Sequence, residues 1–66
     1  MTVTVNGASR EVAPGTTIAA LIEELGLGRA AVAAEVNKTL VPKRRHAETV
    51  LAEGDSVELV SLVGGG

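Results

Sequence analysis

Residues 2–26 read TVTVNGASREVAPGTTIAALIEELG, and the change of period inside this stretch decides the fold. The first part, Thr2 to Val12, alternates with period two and is broken by Asn6-Gly7, the dipeptide favoured in two-residue type I′ hairpin turns. A two-residue loop pairs Val5 with Ala8 and Val3 with Arg10, so Val3, Val5 and Val12 share one face. Arg10 falls on that apolar side and is expected near the sheet margin, its stem over the core and its guanidinium in water. Pro14-Gly15 then turns the chain, and Thr16 or Thr17 stands as an N-cap. From there the period becomes helical: Ile18, Leu21, Ile22 and Leu25 lie at i, i+3, i+4 and i+7, while Glu23 and Glu24 face solvent. Gly26 is placed to stop the helix.

Working outward, VAAEVN (32–37) alternates weakly, with Ala34 and Val36 on one side and Glu35 on the other, and predicts a third strand. Leu40 and Val41 predict a short strand, followed by a loop with one helical turn. SVELVSLV (56–63) is the last strand; Glu58 sets its faces, with Val57 and Leu59 inward and Glu58, Val60 and Leu62 outward. Hairpin, helix and further strands predict an α+β domain, residues 1–63, with a mixed sheet of four to five strands and one main helix across one face. That is the β-grasp arrangement of ubiquitin-like proteins. Residues 64–66, all glycine, form a tail outside the domain.

Composition closes several functional classes. A chain of 66 residues is one domain and buries only about 60 % of its unfolded surface. Phe, Tyr and Trp are absent, so bases cannot be stacked on aromatic rings, and a net charge of −2 gives no global attraction to phosphate; nucleic acid is not an expected partner. The lack of cysteine removes disulfides, thiolate metal sites and thiol nucleophiles. No window reaches the roughly 18 apolar residues of a membrane span, and MTVTVNG has no signal-peptide pattern, so no membrane partner and a cytoplasmic location are expected.

Few side chains suggest chemistry. Glu53 and Asp55 flank Gly54 and read as turn residues before the last strand rather than as an acid and base pair. His46 is the only histidine and has neither a cysteine nor an acidic triad to make it a ligand or a base; no metal site and no bound cofactor are expected. Lys38, Lys43, Arg44 and Arg45 are four of the six cations, gathered within an otherwise acidic chain. They are either a solvated loop or a docking element for an acidic partner. Val60 and Leu62, outward and apolar beside the tail, are either covered by a loop or form a small partner-binding patch.

The tail itself, Gly64, Gly65 and Gly66, is either idle or built to be thin. Three extended residues reach about 10 Å, and a segment without side chains can thread a channel too narrow for any Cβ. Its carboxylate is a poor acyl donor until an oxygen becomes part of a phosphate leaving group. The chain has no phosphate loop to perform that activation.

Four features together are similar to a known family: the Asn6-Gly7 hairpin, the stretch VNKTLVPKRR (36–45), the turn EGD (53–55) and the terminal Gly65-Gly66. The chain resembles the ubiquitin-like sulfur carrier proteins, and among them the carriers of thiamin biosynthesis, over essentially its whole length. Lys43 stands where many members have Arg, and His46 where many have Trp. The resemblance implies a co-substrate rather than an enzyme. A partner adenylating enzyme similar to the ubiquitin-activating enzymes would consume ATP to convert the Gly66 carboxylate into an acyl-adenylate. Sulfur from a persulfide donor would replace AMP to leave a C-terminal thiocarboxylate, and that sulfur would pass to thiazole synthase. In this scheme Gly66 carries the modification, Gly64 and Gly65 supply reach and clearance, and Val60, Leu62, Lys43, Arg44 and Arg45 are candidate partner contacts. The small subunit of molybdopterin synthase, with the same chemistry, and a β-grasp interaction module with an idle tail are the alternatives.

Overall fold

The computed structural model describes residues 1–28 and 31–61. Strands β1 (Thr2–Val5) and β2 (Ala8–Glu11) form the expected hairpin, with Val5 opposite Ala8 and Val3 opposite Arg10. Asn6 and Gly7 both have positive φ, 50° and 86°, as a type I′ turn demands. Helix α1 (Ile18–Glu24) follows. Strands β3 (Val32–Val36) and β4 (Thr39–Val41) form a second hairpin, and a 3-10 turn at Lys43–Arg45 precedes β5 (Ser56–Ser61). The sheet order is β2-β1-β5-β3-β4, with β5 parallel to β1 and antiparallel to β3. Among the described residues, five strands and one α-helix make up the mixed-sheet β-grasp arrangement.

Helix α1 is short, so its ends decide whether it forms. All of its first N–H groups have acceptors. Thr17 is the N-cap, its Oγ1 accepting from Ala20 N at 3.1 Å, and its carbonyl accepts from Leu21 N. The two donors between them are met from distant chain: Ile18 N donates to Thr49 O and Ala19 N to His46 O, each at 3.0 Å. At the other end Leu27 N donates to Ile22 O and Gly26 N to Glu23 O, with Gly26 at φ 76°, which is a Schellman closure.

The apolar stripe Ile18, Leu21 and Ile22 is buried against Val3, Val5, Ala34, Val57 and Leu59 of the sheet, and Leu25 packs at its margin. Each such aliphatic side chain contributes about 1.5–3 kcal/mol when fully removed from water. Arg10 follows its expectation in position, on the edge strand β2 and half-buried, but not in full solvation. One guanidinium nitrogen, Nη2, lies 3.5 Å from Glu24 Oε1, while Nε is buried without a partner.

Candidate functional site

The last strand is the element from which the terminal segment departs, and its register is settled. Val57 and Leu59 are buried, whereas Ser56, Glu58 and Val60 face outward, Val60 with 57 % of its surface exposed. The outward position of Val60 follows from Glu58 as expected. Leu62, the domain boundary after residue 63 and the tail Gly64, Gly65 and Gly66 lie outside the described residues.

Two turn asparagines hold β5 in place. Asn6, directly after β1, donates its backbone N–H to Val57 O at 2.9 Å. Its side-chain amide donates from Nδ2 to Leu59 O at 3.1 Å and accepts at Oδ1 from Leu59 N at 2.8 Å. The side chain thus extends the parallel β1–β5 ladder beyond the point where β1 turns away. Asn37, directly after β3, does the same at the start of β5. Its N–H donates to Ser56 O at 2.7 Å, its Oδ1 accepts from Ser56 N at 3.0 Å, and its Nδ2 donates to Asp55 Oδ1 at 3.0 Å. Asp55 Oδ2 in turn accepts from Ala52 N at 2.8 Å across the turn whose Gly54 has φ 83°. Three of the sequence features singled out above, Asn6-Gly7, Val36-Asn37 and Glu53-Gly54-Asp55, therefore converge on one strand.

The basic residues Lys43, Arg44 and Arg45 are exposed on the 3-10 turn. Strand β4 ends with Val41 opposite Ala34, and the turn continues toward the beginning of β3, where Val32 stands opposite Ser61. The cationic turn and the end of β5 thus share one end of the sheet. Lys38 is apart from them, in the β3–β4 turn at φ 70°. His46, only 7 % exposed, is structural: its ring Nε2 lies 3.0 Å from Val41 O, which fixes the proton on that nitrogen, and its carbonyl accepts from Ala19 at the helix start.

No group of three His, Asp or Glu side chains is arranged to hold a metal among the described residues. A cleft of about 220 Å³ between α1 and the 3-10 turn is lined by Ala19, Ile22, Glu23, Lys43 and His46 among others. Its volume lies below the roughly 300–1,000 Å³ of small-molecule sites. No helix among the described residues is long and apolar enough to cross a membrane. Leu40, exposed over 64 % of its surface, was not singled out from the sequence. Recognising Asn37-Lys38 as a tight turn would have set the β4 register and placed Leu40 on the outward face.

A five-stranded mixed sheet with one helix across it, and a central strand leading to the terminal glycines, defines a β-grasp protein of the ubiquitin-like class. The chain belongs to the ThiS family, whose model matches residues 3–66. The crystal structure of the thiamine biosynthesis protein ThiS from Geobacter metallireducens superposes with a TM-score of 0.83 at 30% identity, with 100% of each chain covered. The sulfur carrier protein ThiS of Escherichia coli is 29% identical over 66 residues, which is 100% of both chains. A thiazole synthase of Paramagnetospirillum magneticum is 38% identical over the same 66 residues, but the chain spans only 20% of that protein's length.

Proposed function

We propose that this protein is the sulfur carrier of thiamin biosynthesis and that Gly66 is its working group. The observation that carries the proposal is the end-to-end match to the Escherichia coli sulfur carrier, 100% of both chains, with Gly66 inside the matched family region. A partner adenylating enzyme transfers AMP from ATP to the Gly66 carboxylate, releasing pyrophosphate. The terminal sulfur of a persulfide then attacks the activated carbon and AMP leaves; cleavage of the sulfur–sulfur bond by a thiol reductant frees the thiocarboxylate. The body of the carrier performs no chemistry and acts as a co-substrate.

Delivery of that sulfur to thiazole synthase is supported by the thiazole synthases that contain a segment similar to the whole of this chain. Placing a carrier-like domain in one polypeptide with the acceptor raises its effective concentration there. Val60, Leu62 and the turn Lys43, Arg44, Arg45 are the proposed partner contacts, because Val60 and the cationic turn flank the end of β5.

Intact-mass spectrometry of the untagged protein, incubated with an adenylating enzyme, ATP and a persulfide source, tests the proposal. Replacement of one oxygen by sulfur at the terminus is expected. A terminus that resists adenylation would leave a β-grasp interaction module with an idle tail.

A further inference from the structure

The outward face of the sheet carries a charge pattern that the isolated domain does not explain. The registers of β5, β3 and β4 put Glu58, Glu35 and Leu40 in one row and Val60 and Ala33 in the next. Glu35 and Glu58 are therefore direct cross-strand neighbours, an arrangement in which like charges repel. Among the described residues neither is ion-paired: the two ion pairs join Met1 with Glu11 and Arg10 with Glu24. None of the described cations occupies a strand position on this face, since Arg10 points inward opposite Val3 and Lys38, Lys43, Arg44 and Arg45 lie in turns. Leu40 and Val60, two of the three most exposed large apolar side chains among the described residues, flank the carboxylates.

We propose that this face docks the adenylating enzyme, through an arginine of that partner seated between Glu35 and Glu58 and apolar side chains laid on Val60 and Leu40. The inference rests on the carrier function proposed above. Charge complementarity selects the occupant: a planar guanidinium can bridge two carboxylates, relieving their mutual repulsion as it binds. Continuity supports it as well. Glu58 and Val60 lie on the strand that leads to Gly66, and the six residues after Val60 reach roughly 20 Å when extended. A partner gripping this face therefore has the reacting carbon within reach of its own active site. The cationic turn Lys43–Arg45 stands at the end of the sheet toward which β5 runs, and charges of opposite sign at two separate places fix one docking orientation.

The test compares the wild type with the double variant Glu35→Gln, Glu58→Gln and the single variant Leu40→Ser. Binding to the adenylating enzyme is measured by titration, turnover by intact mass, and stability by thermal unfolding. The double variant is expected to raise KM and Kd about tenfold and leave kcat unchanged, with an unfolding midpoint equal to or above that of the wild type. That opposition of effects would not arise from a merely structural role. Leu40→Ser is expected to weaken binding without loss of fold. Wild-type affinity in both variants overturns the docking surface while thiocarboxylate formation upholds the carrier function. A wild-type terminus that is never adenylated overturns the function, and the titration then still decides whether the face binds; no binding by the wild type overturns both.

Discussion

Asn6 grips Leu59 by both of its backbone polar groups, across 53 residues of sequence, with a single side-chain amide. The contact is what allows β5 to run past the end of β1 without leaving a half-buried N–H and C=O unpaired. Replacing Asn6 by Ala is expected to destabilise the domain by about 1–3 kcal/mol, the usual effect of orphaning such a group. Urea denaturation measures it. Asn6→Asp, which keeps the acceptor for Leu59 N–H and loses the donor, is expected to fall between the two; equal stability of all three proteins would deny the contact any part in the fold.

Neighbouring positions on β5 are expected to respond in opposite ways. Leu59→Ala opens a cavity in the core and should cost about 2–5 kcal/mol. That is much of the stability available to a domain of this size, at roughly 0.05–0.15 kcal/mol per residue. Val60→Ser, on the exposed side, should change stability by less than about 0.5 kcal/mol while weakening binding to the adenylating enzyme, more so when combined with Leu62→Ser. Paired denaturation and binding curves separate the cases, and a collapse of stability in the Val60 variant would place that side chain in the core.

Reversal of the cationic turn, with Lys43, Arg44 and Arg45 all changed to Glu, is expected to act on association. Exposed charges are screened within about 10 Å at 0.1 M salt, so the loss should fall mainly on the on-rate and shrink as salt is added. Stopped-flow mixing at two ionic strengths gives the answer. Equal on-rates at low salt would make the turn an ordinary solvated loop.

For the tail, Gly65→Val, deletion of Gly66, or a C-terminal tag should abolish adenylation and leave circular dichroism and thermal unfolding nearly unchanged, because the role proposed for glycine there is clearance, and glycine has no side chain to bury. Persistence of thiocarboxylate formation on Gly66 in a tagged protein would contradict the role given to the terminus.

Glu11 offers a pH test. The hydroxyl of Thr2 donates to its carboxylate and, second in size, the N-terminal ammonium lies nearby, so its pKa is held below the ordinary carboxylate range. A group depressed in the folded state contributes stability above its unfolded pKa and loses it as pH falls through the folded value. Thr2→Val should therefore return the Glu11 titration, followed by NMR, upward toward the ordinary range. An unmoved midpoint would remove the hydroxyl as the cause.

Local pattern was enough to read the hairpin register, the helix and its two stops, and the two faces of β5. In each of these the determinant lies within a few residues of the element it fixes: Asn6-Gly7 for the turn, Thr17 and Gly26 for the helix ends, Glu58 for the strand. What escaped depends on partners far along the chain. The carbonyls of His46 and Thr49 complete the helix start, and nothing near Ile18 announces them. The Asn37-Lys38 turn escaped for another reason: Lys38 adopts a positive φ of 70°, a conformation its side chain disfavours, so composition gives no signal. With that turn unread, the β4 register stayed open, and so did the meeting of Glu35, Glu58 and Leu40 on one face.

The position of β5 also bears on how the protein can withstand being held by its end. A tail pulled into a channel transmits tension to the strand it continues. Were that strand at the rim of the sheet, its hydrogen bonds to a single neighbour could give way one after another, as a zip opens. Here the strand lies between β1 and β3, with Asn6 and Asn37 pinning it at either end, so a load along it is shared as shear by two ladders. Under the proposed function, the body would thus serve as an anchor, keeping its shape while a partner holds the chain beyond β5.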